Sequence, residues 1–168
     1  MSENEPLCAR CAKRGKTCCQ WSEIYVTQQD VNRIVCMTGQ GGFYEYRPPQ
    51  NPQYLDQSDD PPWQQHVFRA DGARRVLKRG PGGDCIFLGQ KGCLLPLDCR
   101  PLVCRLYPFT YHYEGIHEEL ETGCPRDLVG PEVILLKELD MSLEQARQWH
   151  KTLYEEICQH NDYDRPDL

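Results

Sequence analysis

Cysteines are the residues of this sequence whose type and spacing point most directly to chemistry. The chain of 168 residues has eleven, and nine of them lie within residues 8–19, within residues 85–104 and at Cys124. Thiols that are held together repel one another once deprotonated, unless a cation lies among them. We therefore interpret these groups as one shared soft-metal site or two adjacent sites.

Eight cysteines are the predicted metal ligands. They are Cys8, Cys11, Cys18, Cys19, Cys85, Cys93, Cys104 and Cys124. Cys8-x-x-Cys11 has the spacing of a chelating turn, and we expect residues 8–19 to form an irregular ligand loop. The Cys18-Cys19 pair leaves two arrangements open. In an extended backbone the two side chains point in opposite directions and serve different sites, whereas a turn would place both at one site.

The spacing leaves two cofactors open, zinc and an iron–sulfur cluster such as 4Fe-4S, because four thiolates bind either. A zinc ribbon needs two short chelating turns, and this chain has one. The wide, irregular spacings favour a cluster, and Cys124-Pro125 is similar to the ligand-then-proline ending of bacterial ferredoxin motifs. Zinc, however, is the commoner structural ion.

Two arginines follow cysteines directly and are predicted to contact the cofactor. Arg100 follows Cys99, and Arg105 follows Cys104. A guanidinium beside an anionic thiolate site offsets its charge and donates hydrogen bonds to sulfur, which also tunes a redox potential. The alternative is an ion pair elsewhere, for example with Asp98.

The cysteine and arginine motifs resemble those of the YkgJ-type cysteine-cluster family, a zinc- or iron-chelating domain. The motifs are Cys8-x2-Cys11-x6-Cys18-Cys19, Gly83-Asp84-Cys85-Ile-Phe-Leu, Cys93 and Arg100-Pro101-x2-Cys104-Arg105-x2-Pro108-Phe109. The resemblance covers residues 8–125 and implies metal chelation. The sequence is also similar to the cysteine region of bacterial flagellin lysine methylases, which carry an iron–sulfur cluster. Cys99 stands where the family has another residue and is left out of the ligand set.

The function that these residues favour is metal binding, with a site that is structural or transfers electrons. An iron–sulfur-dependent enzyme of methyl transfer or redox type is an alternative, and metal storage or delivery is another. The sequence has no glycine-rich nucleotide loop of the usual kind and no nucleophile elbow. The run from Gly80 to Gly83 opens no predicted helix and is interpreted as a turn.

The surrounding pattern predicts the α+β class: a small, irregular, metal-stapled domain with short β-hairpins and two to three helices, the last one C-terminal. We expect one domain over residues 1–168. Its metal core spans 8–125, and a helical segment spans 131–160.

Capping residues and apolar spacing mark two of these helices. Thr27 with Asp30 predicts a capping box, and Gly39 a helix end, around an apolar stripe of Val31, Ile34 and Val35. Ser142 with Gln145 begins the final helix, whose core face contains Leu143, Ala146, Trp149, Leu153 and Ile157.

Turn residues predict two hairpins. Asp71-Gly72 would join residues 66–69 to residues 74–78, and Gly89 to Gly92 would join the strands that carry Cys85 and Cys93. Residues 107–113 are predicted as a further strand.

Residues 41–65 are predicted to be a loop because prolines interrupt them. Their aromatic side chains are interpreted as a flap over the core or as the wall of a groove; they are Tyr44, Tyr46, Tyr54 and Trp63. The basic run from Arg69 to Arg79 is interpreted as a solvated hairpin face, and Cys36 and Cys158 as buried packing thiols. His112 and His117 have no spacing that requires them as ligands.

Charge and hydropathy bear on partners and compartment. The formal net charge is −6, which argues against binding nucleic acid through bulk charge. No apolar stretch reaches the length of a membrane span, and residues 1–7 are too polar for a signal peptide. Clustered thiols remain reduced in the cytoplasm, so we expect a cytoplasmic protein. The sequence does not indicate a protein partner.

Overall fold

A computed structural model describes residues 7–14, 18–121 and 132–159. Seven α-helices lie in these ranges: α1 (Leu7–Arg14), α2 (Cys18–Trp21), α3 (Gln28–Thr38), α4 (Pro61–His66), α5 (Leu102–Leu106), α6 (Glu132–Glu138) and α7 (Leu143–Gln159). Six short strands accompany them: β1 (Tyr44–Arg47), β2 (Arg74–Leu77), β3 (Leu88–Gly89), β4 (Gly92–Cys93), β5 (Phe109–His112) and β6 (Gly115–Leu120). The strands form three antiparallel pairs, β1–β2, β3–β4 and β5–β6.

This architecture confirms the α+β class, the short antiparallel sheets and the C-terminal position of the last helix. The prediction of two to three helices is too low for the described residues. The four additional helices, α1, α2, α4 and α5, have eight residues or fewer. Elements this short show little of the 3.6-residue period from which helices are recognised.

The N-terminal ligand segment differs from the predicted irregular loop. Residues 7–14 form α1, and Leu7 and Ala9 on this helix are buried. Alanine, leucine, lysine and arginine all favour helix, and burial of the apolar residues adds to that preference. Cys8 and Cys11 are therefore presented by a helix.

The capping signals of α3 are confirmed. The Thr27 hydroxyl accepts the Asp30 N–H, the Asp30 carboxylate accepts the Thr27 N–H, and Gly39 ends the helix at φ 68°. Val31 and Ile34 are buried as predicted. Val35 is 39% exposed, so the buried stripe of α3 is narrower than expected.

The Asp71-Gly72 turn forms, but the predicted hairpin around it is wrong. Gly72 has φ 81°, and its N–H donates to the Arg69 carbonyl at 2.9 Å. Strand β2 then pairs with β1, with Tyr44 opposite Leu77 and Arg47 opposite Arg74. Residues 66–69 do not form the first strand of that hairpin, because His66 ends α4, a helix that begins at Pro61 and is capped by Asp60.

The loop prediction for residues 41–65 is accordingly too broad, because β1 and α4 both lie there. The solvated interpretation of the basic run is wrong for Arg74 and Arg75, which are each 2% exposed on β2. Arg75 donates from Nε and Nη2 to the Tyr46 hydroxyl at 3.0 and 2.8 Å. All four residues of β2 are buried. The guanidinium groups of Arg74 and Arg75 can be buried there because they lie over the rings of Tyr54 and Tyr46.

The second hairpin is confirmed in shorter form. Leu88 pairs with Cys93 and Gly89 with Gly92, while Cys85 precedes the strands. Strand β5 falls within the predicted 107–113 segment, and α6 and α7 fall within the predicted helical segment 131–160. Helix α7 begins after Ser142, whose hydroxyl accepts the Gln145 N–H at 3.2 Å.

Two hydrophobic cores support the molecule. The first buries side chains of α4, α5 and α7 with β5 and β6, including Trp63, Leu102, Leu106, Leu153 and Ile157. The second buries Ile24, Val26, Ile34, Phe43, Leu77, Cys85 and Leu95. Val103 on α5 packs against both cores, so this short helix joins them.

The two cysteines predicted to be packing thiols, Cys36 and Cys158, are exposed in the structure. Among the residues that the structure describes, no helix is long and apolar enough to cross a membrane.

Candidate metal centre

A cavity of about 490 Å³ is lined by seven of the eight predicted ligands. These are Cys8, Cys11, Cys18, Cys19, Cys85, Cys93 and Cys104. The eighth, Cys124, lies outside the described residues. Four elements thus bring thiols from both ends of the 8–104 interval to one place: α1, α2, the β3–β4 hairpin and α5.

Helix α1 presents Cys8 and Cys11 on one face, because residues three apart are neighbours on a helix. The β3–β4 hairpin lies against this helix at Gly92, which has φ 97°. A Cβ added there would lie 3.6 Å from the Cys8 Cβ and 3.6 Å from the Ala9 nitrogen. These are ordinary contact distances, so the positive φ of this turn, and not a lack of space, is what favours glycine. The hairpin that carries Cys93 packs directly against the helix that carries Cys8.

The backbone at Cys18-Cys19 is helical and not extended, because both residues lie in α2. The two residues begin a single helical turn, and both line the cavity. A side-chain hydrogen bond with Cys18 and burial raise the pKa of the Cys19 thiol well above its usual value. The backbone also joins this turn to the second cysteine group, because the Cys85 N–H donates to the Cys19 carbonyl at 2.7 Å.

Burial raises the pKa of the second-group thiols that line the cavity, which favours their neutral form. It raises the pKa of the Cys85 thiol to about 11, and the neighbouring thiols of Cys19 and Cys93 contribute. Burial also raises the pKa of Cys93 and, more strongly, that of Cys104. The Cys19 thiol adds to the increase in pKa at all three of these residues.

Hydrogen-bond donors that favour thiolates oppose these increases at two of the sulfurs. The backbone N–H of Phe87 bonds to Cys85 and lowers its pKa, and that of Leu95 does the same for Cys93. N–H groups aimed at sulfur are typical of sites where a thiolate binds a metal or cluster.

Arg100 lies at the thiols, as the sequence predicts. Its side chain hydrogen-bonds to Cys93, and its charge lowers the pKa of Cys8, Cys19 and Cys93. Its Nε donates to the Leu95 carbonyl at 2.9 Å, which holds the guanidinium in place. Arg100 therefore supplies positive charge to sulfurs from both cysteine groups.

Arg105 contributes in a different way. Its Nε donates to the Arg100 carbonyl at 2.8 Å, and its Nη2 donates to the Asp98 carbonyl at 2.5 Å. These bonds tie α5 to the backbone of the preceding turn, which positions Arg100. Arg105 thus contacts Asp98, the residue named in the alternative interpretation, but it bonds to the backbone carbonyl and not to the carboxylate of an ion pair.

Sequence reasoning missed Arg79, which belongs to the basic run interpreted as solvated. Its Nη1 donates to the Gly83 carbonyl at 2.7 Å and to the Cys19 carbonyl at 3.4 Å. Its charge lowers the pKa of Cys19 and Cys85. Arg79 is thus a second cation beside the thiols, brought there by a fold that the local sequence does not indicate.

The side chains do not stand in a ready coordination shell. Within residues 7–14, 18–121 and 132–159, no group of three or more Cys, His, Asp or Glu side chains is arranged to hold a metal ion. The donor set nevertheless fits a soft metal: seven thiols line one cavity, two arginines lie beside them, and backbone N–H groups reach two of the sulfurs. Neutral thiols have no reason to converge at bonding distance, because only deprotonation and a cation make that contact favourable.

The remaining candidate residues lie elsewhere. Cys99 ends a short 3₁₀ turn. It is not part of the cavity lining, and neither are the exposed Cys36 and Cys158. His112 and His117 contact each other edge to face, with ring centroids 4.7 Å apart, on the β5–β6 hairpin. These residues do not share the thiol cavity.

The cavity continues past the thiols to an aromatic end. Its lining there includes Tyr25, Tyr54, Trp63, Tyr111 and Tyr154, with Asp60 and Arg74. The Tyr154 hydroxyl donates to the Asp60 carboxylate, whose other oxygen accepts the backbone N–H of Trp63 at 3.2 Å. The groove interpretation therefore describes Tyr54 and Trp63 better than the flap, whereas Tyr44 and Tyr46 lie on β1.

Comparison with known proteins adds no relative: no family model, curated protein or solved structure matches this chain. The resemblance to the YkgJ-type family, carried by the cysteine and arginine motifs, stays a prediction.

Proposed function

We propose that this protein binds a soft metal, as an iron–sulfur cluster or as zinc, through the cysteines of one cavity. The proposed ligands are drawn from Cys8, Cys11, Cys18, Cys19, Cys85, Cys93, Cys104 and Cys124. Arg100 and Arg79 offset the charge of the resulting thiolates, and Arg105 holds Arg100 in position.

One observation carries the proposal: thiols separated by up to 96 positions in the chain line the same buried space. Cysteines that served only as small apolar residues would have no reason to group in one cavity or to lie beside arginines. Here the Cys19 thiol raises the pKa of Cys8 and Cys85, and the charges of Arg100 and Arg79 lower the pKa of Cys19. Thiolates held this close would repel one another without a metal, whereas a bound cation would be stabilised by them.

A cluster fits the arrangement somewhat better than a single zinc ion does. Seven thiols at one cavity exceed the four that a tetrahedral zinc site or a 4Fe-4S cluster uses, so their number alone does not separate the two. Hydrogen bonds to sulfur from backbone N–H groups and from Arg100 are features that set the potential of an iron–sulfur cluster. Two adjacent sites are the alternative that would use all of the thiols.

Anaerobic purification followed by a visible spectrum and analysis of metal and acid-labile sulfide tests the proposal. A brown protein with broad visible absorption and stoichiometric sulfide identifies a cluster. A colourless protein with stoichiometric zinc identifies the zinc form, and the metal-to-protein ratio separates one site from two. Protein that purifies without metal and takes up neither zinc nor reconstituted iron and sulfide contradicts the proposal.

A second candidate is an iron–sulfur-dependent enzyme of redox or methyl transfer type. The observation that favours it is the extension of the cavity beyond the thiols to Tyr54, Trp63 and Tyr154. A purely structural site needs no such space beside it. Turnover would require a second molecule in that space, so a ligand that perturbs the visible spectrum of the holoprotein would favour this candidate.

A further inference from the structure

Two cysteines outside the thiol cavity lie on elements that contact each other. Cys36 is exposed near the C-terminal end of α3, and Cys99, which is partly exposed, ends the 3₁₀ turn Leu97–Cys99. Helix α3 packs directly against this turn. Neither thiol lines the cavity, so the proposed metal centre leaves both of them unused.

Hydrogen bonds to α5 fix both of these elements in place. The Asp30 carboxylate on α3 accepts the Leu102 N–H, at the first residue of α5, at 3.2 Å. Arg105 on the same helix donates to the carbonyl groups of Asp98 and Arg100, the residues on either side of the turn's cysteine, at 2.5 and 2.8 Å. The contact between α3 and the turn is therefore a fixed feature of the fold.

The electrostatics of Cys99 agree with this contact. Burial and Asp98 raise the pKa of the Cys99 thiol, and the Cys36 thiol adds to the increase. Cys158 is the third described cysteine outside the cavity lining. Burial and Asp60 raise the pKa of its thiol, and no other cysteine contributes. Among the described thiols outside the cavity, Cys36 and Cys99 are thus the two that lie near each other.

Both thiols stand where the backbone can move at low cost. Cys36 lies two residues before the end of α3 at Thr38, and the 3₁₀ turn follows Pro96 without a side-chain cap. The ends of elements open locally at lower free energy than their centres. A disulfide needs its two Cα atoms within about 4.4–6.8 Å, and small shifts of these ends would satisfy that geometry.

We propose that Cys36 and Cys99 are a redox-sensitive pair, which a low-molecular-weight disulfide such as glutathione disulfide converts from two thiols to one disulfide. The thiolate of one cysteine attacks a sulfur of glutathione disulfide, whose S–S bond breaks, and one glutathione thiolate leaves and takes up a proton. The thiolate of the second cysteine attacks the mixed disulfide and releases the second glutathione. The protein gives up two protons and two electrons, and glutathione disulfide is reduced to two glutathione molecules.

The pair adjoins the proposed metal centre without being part of it. Cys99 directly precedes Arg100, whose side chain hydrogen-bonds to Cys93. A disulfide would tie to α3 the turn from which Arg100 reaches that thiol. The pair itself contains no proposed ligand, so its test succeeds or fails independently of metal binding.

Titration of the protein as purified with mixtures of glutathione and glutathione disulfide tests the pair. After an acid quench, differential alkylation and mass spectrometry identify the oxidised cysteines. We expect Cys36 and Cys99 to lose alkylation together, in a monomeric chain that carries no added glutathione, and to regain it in excess glutathione. The oxidised fraction should follow the ratio of glutathione disulfide to the square of glutathione, because closure releases two glutathione molecules.

Three single variants identify the partners. Cys36→Ser and Cys99→Ser each remove one thiol, so the remaining thiol should stop at the mixed disulfide and carry one glutathione. Cys158→Ser is the matched control, because Cys158 is also exposed and outside the cavity lining. It should form the same disulfide as the wild type at the same glutathione ratio.

Peptide mapping of the oxidised wild type decides the outcome even if a serine variant folds poorly. A peptide that links Cys36 to Cys99 within one chain supports the inference. A wild type that carries only mixed disulfides at these residues, a disulfide between two chains, or no change at either residue overturns it.

Discussion

The Cys85 N–H donates a 2.7 Å hydrogen bond to the carbonyl oxygen of Cys19, and the Cys19 thiol contributes to the raised pKa of the Cys85 thiol. This hydrogen bond joins α2 to the segment that precedes β3. It makes the spacing of the two cysteine groups a property of the backbone and not only of flexible side chains. The predictions below follow from that arrangement.

Substituting cysteines that line the cavity should remove metal, whereas substituting the exposed Cys36 and Cys158 should not. Cys19→Ser and Cys104→Ser each delete a thiol that is coupled to several others, so we expect metal affinity to fall about tenfold or more. Cys36→Ser and Cys158→Ser are the matched controls, because both thiols are exposed. Metal content after purification is the measurement, and equal loss in all four variants would contradict the assignment.

Removing the metal should destabilise the protein. A structural zinc contributes about 10–16 kcal/mol of apparent binding free energy, similar to or larger than the net stability of about 5–15 kcal/mol that is typical of folded domains. The second core includes Cys85 and packs against Cys19, Cys93 and Cys104, so we expect it to be affected first. Circular dichroism melts with and without a chelator measure the effect. A chelated protein that keeps its full cooperative melt would show that the metal is not structural.

The metal-free and metal-bound forms should respond to pH in opposite directions. The folded-state pKa of Cys85 is raised from 9.0 to about 11, so the neutral thiol is the form that the fold favours. This contribution to stability is present below pH 9 and is lost as the pH rises from 9 towards 11. In the metal-bound form the ligands are thiolates, so acidification releases metal and lowers stability. Urea unfolding across pH, with and without metal, tests both trends; parallel trends would refute the idea.

Replacing Arg100 should weaken metal binding and move its pH dependence. The Arg100 charge lowers the pKa of Cys8, Cys19 and Cys93, so Arg100→Met raises these pKa values. Because protons compete with the metal, the midpoint of binding should move to higher pH, and affinity at neutral pH should fall about 10–100-fold. Lys151→Gln, which removes an exposed cation on α7, is the control. Competition with a chromophoric chelator at several pH values gives the midpoint, and an unchanged midpoint would remove Arg100 from the site.

Asp30 should prove important for stability, because it connects three elements while fully buried. Its carboxylate accepts the Thr27 N–H at 3.0 Å, the Arg33 Nη2 at 2.6 Å and the Leu102 N–H at 3.2 Å. Arg33 in turn donates to Glu156 on α7 at 2.7 Å. Asp30→Ala leaves these donors unpaired and should lower the free energy of unfolding by about 2–4 kcal/mol. The loss should be smaller than for breaking a fully buried ion pair, because Arg33 is partly exposed. Urea denaturation measures it, with the exposed Asp59→Ala as control; equal midpoints would show that the network is not stabilising.

The N-terminus of α5 depends on the same network. Leu102 is two residues before Cys104, so the Asp30 bond to its N–H also orients the helix that carries this thiol. Asp30→Ala should therefore lower metal content even at temperatures where the variant remains folded.

Local chemistry in the sequence determined several features that the structure contains. The Thr27–Asp30 capping box and Gly39 define α3, and Ser142 begins α7, because caps satisfy backbone groups within a few residues. The Gly89–Gly92 turn defines its hairpin for the same reason. The grouping of the cysteines singled out the seven thiols of one cavity, since clustered thiols have few uses other than chelation.

Tertiary structure alone decided which elements pair and what surrounds the thiols. The residues near Asp71-Gly72 do not indicate that β2 pairs with β1 and not with the segment before the turn, because strand pairing depends on contacts distant in sequence. The same pairing buries Arg74 and places it at the cavity, and the return of the chain after β2 brings Arg79 to Cys19. A run of arginines looks solvated in sequence because charged groups are rarely buried, and only the aromatic partners supplied by the fold make their burial possible.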